Sequence, residues 1–121
     1  MPDEHGEDLA AWGKVVMLEV TGRVTGRTIR TAVGFVAEPE GSLLVAAGSA
    51  QASWAANLFA HPACHGTIGP VRRAYRAEEI EGPDRSRAIA ELILKYGTPA
   101  ESLGAGPAFR LRPVDGAAPN A

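Results

Sequence analysis

The segment Val20-Thr-Gly-Arg-Val-Thr-Gly-Arg-Thr-Ile-Arg-Thr31 sets Arg23, Arg27 and Arg30 among Gly22, Gly26 and several hydroxyl residues. Such a stretch suggests phosphate chemistry, but not that of a P-loop. A P-loop needs four residues between its glycines and then Lys-Ser/Thr, so that successive backbone amides wrap the phosphate. Here Gly22 and Gly26 enclose three residues, and Arg27 stands where the lysine should. Arginines on a hairpin could still grip phosphate oxygens through their fork of N–H donors. The alternative is a strand-turn-strand connection whose cations are merely solvated. No acid occurs between Glu19 and Glu38, so the positive charge of this stretch is locally uncompensated.

A second candidate is Gly48-Ser-Ala-Gln-Ala-Ser-Trp54, a small-residue loop that leads from a strand into a helix. Free amides at a helix N-terminus, with the helix dipole behind them, suit an anion. The alternative is a plain helix start capped by the Ser53 hydroxyl. A third candidate is His61-Pro-Ala-Cys64-His65, which packs three potential metal ligands into five residues. Structural zinc usually takes four ligands in two separated pairs, and no second pair exists in this chain. In a strand, Cys64 and His65 would also face opposite sides. We therefore expect no metal site. No serine sits in a Gly-x-Ser-x-Gly elbow, and no catalytic set of side chains emerges. If the chain is an enzyme, a bound cofactor carries the reactive step.

The elements that must position these residues can be read from periodicity. Residues 14–20 (KVVMLEV) form a β-branched, apolar run, and 28–37 (TIRTAVGFVA) alternates well enough for a second strand. Glu38-Pro-Glu-Gly41 is a turn, and residues 42–47 (SLLVAA) form a third strand. A helix runs from Ser53 to near His61, where Pro62 stops it. Residues 63–68 and 71–80 read as strands joined by Gly69-Pro70. A second helix starts at Pro83-Asp84 and ends at Gly97, with Ile89, Leu92, Ile93 and Tyr96 as its apolar stripe. Glu91 and Lys95 are spaced for a supporting i, i+4 pair. Residues 107–113 make a last strand. Antiparallel strands interrupted by two helices predict a mainly β (α+β) chain, a small barrel or an α+β sheet rather than a βαβ nucleotide fold.

The chain has 121 residues, 45% of them hydrophobic, which suits one domain. Residues 1–12 read as a flexible acidic segment, 13–114 as the domain and 115–121 as a disordered tail. A net charge of -2 and 6% aromatic content give neither a global drive toward nucleic acid nor many stacking platforms. No apolar run approaches a membrane span, and Cys64 is the single cysteine, so no internal disulfide is possible. These features predict a cytoplasmic protein with neither nucleic-acid nor membrane partners.

Two blocks in order carry a family resemblance. Thr21-Gly-Arg-Val-Thr-Gly-Arg27 followed by Arg30-Thr-Ala-Val-Gly-Phe35 resembles the T-G-R-x-[ST]-G-x…R-T-P-[LV] signature of the deazaflavin-dependent nitroreductase family. Ser53-Trp-Ala-Ala-Asn-Leu-Phe-Ala-His-Pro62 resembles that family's W-x-x-N-[LV]-x-A-x-P helix. The resemblance spans about residues 14–113. It implies a small split antiparallel β-barrel with two short-to-medium helices, and binding of coenzyme F-420, an 8-hydroxy-5-deazaflavin bearing a phosphate and a glutamate tail. By that pattern Arg23, Arg27 and Arg30 would meet phosphate or tail charge. Gly48 and Ser49 would offer amides, Ser53, Trp54 and Asn57 would anchor the helix beside the ring, and Thr31 and Val33 would also touch the cofactor. Ala32 replaces the family's usual proline, Ile29 stands where some members carry a basic residue, and no tyrosine follows Tyr96. The loop before Trp54 is also shorter and lacks a lysine. The implied activity is hydride transfer from the reduced deazaflavin to a planar, electron-poor small molecule such as an activated alkene or quinone. Related split barrels bind FMN or haem, which makes those the alternative cofactors, and a non-catalytic binding protein is a further alternative. Such barrels often pair, so a homodimer is an open option, with Val71 and Phe109 serving either an interface or the core.

Overall fold

The computed structural model describes residues 14–48, 52–96 and 106–114. The acidic N-terminal segment, the C-terminal tail, Ser49 and Gly97 lie outside the described residues. Seven strands and two helices follow one another as β1 (Val16–Thr21), β2 (Thr28–Val33), β3 (Val36–Ala37), β4 (Leu43–Ala46), α1 (Ser53–Ala60), β5 (Ala63–Ile68), β6 (Val71–Ile80), α2 (Gly82–Tyr96) and β7 (Ala108–Pro113). All seven strands form one antiparallel sheet in the order β2-β1-β5-β6-β7-β4-β3. The two edges of that sheet, β2 and β3, are separated along the chain only by Gly34 and Phe35. Three Cα–Cα steps of about 3.8 Å bring Val33 and Val36 within ~11 Å of each other. The sheet must therefore curl until its edges nearly meet, giving the split barrel that the resemblance implies.

This corner divides what the sequence pattern predicts as one strand over residues 28–37. Its backbone leaves the ladder and is tied down by the end of α2. The Phe35 N–H donates to the Tyr96 hydroxyl at 3.0 Å, and the Lys95 ammonium donates to the Phe35 carbonyl at 2.7 Å. With that carbonyl served by Lys95, the Tyr96 hydrogen is best placed on the Lys14 carbonyl, 2.7 Å away. Gly34 lets the tyrosine ring lie against the chain, since a Cβ there would stand 3.0 Å from a ring carbon.

Strand alternation then sorts side chains into two apolar clusters. Val16, Leu18, Val20, Leu43, Val45, Cys64, Tyr75, Phe109 and Leu111 point into the barrel, where Ala55 and Leu58 of α1 join them. Leu44, Ala46, Ile80 and Ala108 point outward and are covered by Ala88 and Leu92 of α2. Strand β4 lies between the two layers, so all four of its residues are buried and it shows no polar alternation. Phe109 belongs to the core, while Val71 is exposed.

Two local expectations are corrected. Ser53 does not cap α1: it is the first helical residue, the N-cap is Ala52, and no side-chain cap hydrogen bond is made among the described residues. Glu91 pairs with Arg87 at 2.7 Å, one turn before it rather than one turn after. Lys95 is drawn instead to the Phe35 carbonyl and ring, its nitrogen 3.7 Å from the ring centroid. Arg87 also reaches Glu38, which Arg110 holds at 2.7 Å, so α2 is clamped to the β3–β4 turn. Among the described residues, no helix is long and apolar enough to cross a membrane.

Candidate cofactor-binding site

The β1–β2 connection is a compact turn. Gly22 donates its N–H to the Arg27 carbonyl at 2.8 Å, and Gly26 donates back to Gly22 at 2.9 Å, with Gly26 at a φ of 75°. Positive φ is the reason glycine suits position 26. Gly22 is glycine for space, because a Cβ would meet Ile29 Cδ1 at 3.1 Å and Thr25 Oγ1 at 3.2 Å. The turn is thereby folded against α1, and Arg23 becomes the bridge between them. Its backbone N–H and its Nη1 both donate to Asn57 Oδ1, at 3.0 and 2.8 Å.

Where hairpin and helix meet they enclose a recess of about 160 Å³, lined by Gly22, Arg23, Val24, Thr25, Ile29, Ser53 and Asn57. Among the described residues, several donors around it lack acceptors. Arg23 has four further guanidinium N–H groups, and among the described residues it has no carboxylate partner. Among the described residues, the first turn of α1 carries no acid and no side-chain cap, and its amides have no intrahelical partner. Asn57 is 2% exposed, yet among the described residues its amide NH₂ has no acceptor. A buried donor left unsatisfied costs about 1–3 kcal/mol. These are the kinds of donor from which a phosphate or other oxyanion accepts.

The remaining candidates divide by strand parity. Ile29, Thr31 and Val33 pair with Val20, Leu18 and Val16, which places them on the inner face of β2. Arg30 pairs with Glu19 on the outer face, away from Thr31 and Val33. Arg27 lies exposed at the end of the turn, and Gly48 is exposed after β4. Trp54 is half-buried against the barrel core, its ring tilted against Phe109 at 6.0 Å. The structure therefore brings Arg23, Ser53 and Asn57 together, puts Thr31 and Val33 on the barrel interior, and sends Arg30 to another surface. Gly22, Val24, Thr25 and Ile29 line the recess without having been singled out. The parity of Ile29 with Thr31 was the signal available for one of them.

The outer face of β1, β5 and β6 holds a larger hollow of about 340 Å³, lined by Glu19, Thr21, Thr28, His65, Arg72 and Val114 among others. Its charges already answer one another. Arg72 donates to both Glu19 oxygens, at 2.8 and 3.3 Å. That contact, with smaller help from His65 and Arg30, holds the Glu19 carboxyl below its usual value despite partial burial. Cys64 faces the barrel interior and His65 the outer face, as a strand requires. Burial raises the Cys64 thiol to about 11, so it is protonated at neutral pH. Among the described residues, no cluster of His, Cys, Asp and Glu could hold a metal.

The fold is shared with solved structures of differing function. An F420-H2 dependent reductase (FDR-A) superposes with a TM-score of 0.70 at 21% identity, covering 82% of this chain and 94% of its own. HutZ, a heme storage protein from Vibrio cholerae, also gives 0.70 at 21% identity, covering 91% of this chain and 88% of its own. A third structure, a domain-swapped dimer, gives 0.70 at 21% identity over 92% of this chain and 96% of its own. No curated protein matches the sequence. The profile of the family described as F420H(2)-dependent quinone reductase matches residues 3–100. With most of its length covered by that profile, the chain belongs to the F420H(2)-dependent quinone reductase family, and it is a deazaflavin-dependent oxidoreductase.

Proposed function

We propose that the chain binds coenzyme F-420 with its phosphate in the recess between the β1–β2 turn and α1, and reduces planar, electron-poor acceptors of the quinone or activated-alkene class. The observation that carries this reading is the convergence of unanswered donors there: Arg23, the uncapped first turn of α1, and the Asn57 amide. When bound, the reduced deazaflavin supplies the hydride. The chain's own part is placement. Arg23 and the α1 amides fix the anionic end, which sets how far the rest of the molecule reaches along the barrel. Thr31, Val33 and Trp54 offer a largely apolar surface on which a flat ring excludes water. Arg27 stands beyond the recess and is the position proposed for the glutamate tail, whereas Arg30 would reach it only from the outer face.

The test is a titration of the purified protein with oxidised coenzyme F-420 and, separately, with FMN, followed by tryptophan quenching. Micromolar deazaflavin affinity that drops about tenfold to a hundredfold in Arg23→Ala supports the reading, since a charge-assisted contact contributes on the order of 1.5–3 kcal/mol. Tight FMN binding with none for the deazaflavin would move the protein to a flavin-dependent role. A homodimer is part of the same proposal. It is supported by the outer face of β1, β5 and β6, which no helix among the described residues covers.

A further inference from the structure

We infer that Asn57 is the positioning residue of this site: it acts on the cofactor's phosphate by holding Arg23 in a fixed pose. The inference rests on the cofactor reading of the recess. Two donors from one arginine converge on a single atom of the Asn57 side chain, at 3.0 and 2.8 Å. Both are N–H groups, so the atom between them is the carbonyl oxygen and the orientation of the amide is decided. Asn57 itself cannot wander. It is 2% exposed, sits in the middle of α1, and its backbone carbonyl accepts the His61 N–H at 2.8 Å where the helix ends.

A free arginine on an exposed turn samples many rotamers, and each phosphate it binds costs that freedom. Here the backbone and the tip of Arg23 are tied to the same buried oxygen, so the side chain is curled before a ligand arrives. One Nη1 donor is used, and four N–H groups remain for the phosphate. The same arrangement ties the hairpin to α1, so Arg23 and the helix amides address one point. Ser53, one turn before Asn57 on the same side of α1, lines the recess with it. Lysine could not take this role, because its ammonium is a point charge without a second set of donors in a rigid plane.

The experiment compares the affinity of the deazaflavin riboside 5′-phosphate, which carries the phosphate without the glutamate tail, with that of the phosphate-free riboside, so that the ratio of the two dissociation constants reports the phosphate alone. It is measured for the wild type, Asn57→Leu, Arg23→Ala, the double variant and Arg23→Lys. The wild-type ratio is expected to be about tenfold to a hundredfold in favour of the phosphate-bearing form. Asn57→Leu keeps the number and branching of the side-chain heavy atoms and should cut the ratio at least fivefold while riboside affinity stays within about twofold. In the Arg23→Ala background the same change should cost only what the asparagine's own NH₂ supplies, clearly less than it costs beside Arg23, the signature of one residue acting mainly through another. Arg23→Lys, which leaves the buried asparagine intact, should lose most of the ratio despite keeping the charge. Equal losses from Asn57→Leu in both backgrounds, or a full ratio in Arg23→Lys, would overturn the inference while the cofactor reading stands. A wild-type ratio near one would overturn the reading itself, and the inference with it.

Discussion

Replacing Tyr96 with phenylalanine removes one oxygen from the corner at which the two sheet edges meet. The ring stays, so its contact with Gly34 is preserved and the change isolates the hydroxyl. The Phe35 N–H then loses its acceptor, and it lies in a part-buried position outside the sheet ladder. Leaving such a donor unsatisfied costs about 1–3 kcal/mol. The Lys14 carbonyl also loses a donor, but that contact is exposed and water can replace it. The Phe35 carbonyl keeps the Lys95 ammonium. We therefore expect a loss of about 2 kcal/mol. For a domain of this size 1 kcal/mol corresponds to roughly 3–5 °C, which puts the melting point down by about 6–10 °C. Urea denaturation should show a lower midpoint with an unchanged m-value. Native-state exchange should single out the Phe35 amide as the one most accelerated. A shift under about 1.5 °C, with Phe35 still protected, would show that the hydroxyl is not the acceptor and that the corner is held in another way.

The Glu38 carboxyl is held below its usual value first by its contact with Arg110 and then by Arg87, against the opposing effect of burial. A depressed folded value stabilises the protein above the unfolded carboxyl range and is lost as pH falls below about 4.5 through the lower folded value. Glu38→Gln should thus be less stable by about 1–3 kcal/mol at pH 7 and show a shallower acid limb, as read by thermal melts from pH 7 to 3. Cys64, with its thiol near 11 and its side chain in the barrel, should react with a thiol reagent at pH 8 at least tenfold more slowly in the native protein than in guanidinium, and rapid native labelling would refute that burial.

Much of the fold is legible from period-2 patterns. β5 and β6 begin and end where the alternation and Gly69-Pro70 predict. The stripe Ile89, Leu92, Ile93 and Tyr96 identifies the face of α2, and Leu92 is its buried centre. What escapes the pattern depends on contacts distant in sequence. The division of residues 28–37 into β2 and β3 is imposed by Tyr96 and Lys95, about 60 residues away. Glu91 and Lys95 have the right spacing for a pair, but each has a better partner than the other. At the site, a hairpin cation meeting a helix start is visible in the two motif blocks, and Arg23, Ser53 and Asn57 do converge. The divergence of Arg30 could have been read from parity alone, since it is adjacent to Thr31 on the same strand. The partnership of Arg23 with Asn57 could not, because nothing local specifies contact between residues 34 positions apart.

Strand β7 lies between β6 and β4, although β4 precedes it by more than sixty residues. Until those last strand residues leave the ribosome, the sheet exists only as two unjoined pieces: β2-β1-β5-β6 on one side and the short β4-β3 pair on the other. Each piece then exposes a bare hydrogen-bonding edge, the kind of surface that recruits strands from other chains. Such late, long-range pairing also makes folding slow relative to helical proteins of similar size. The nascent protein is thus most exposed to aggregation and to strand exchange between copies just before residues 108–113 become available. Chaperone dependence should track the release of residues 108–113 more closely than that of any earlier strand.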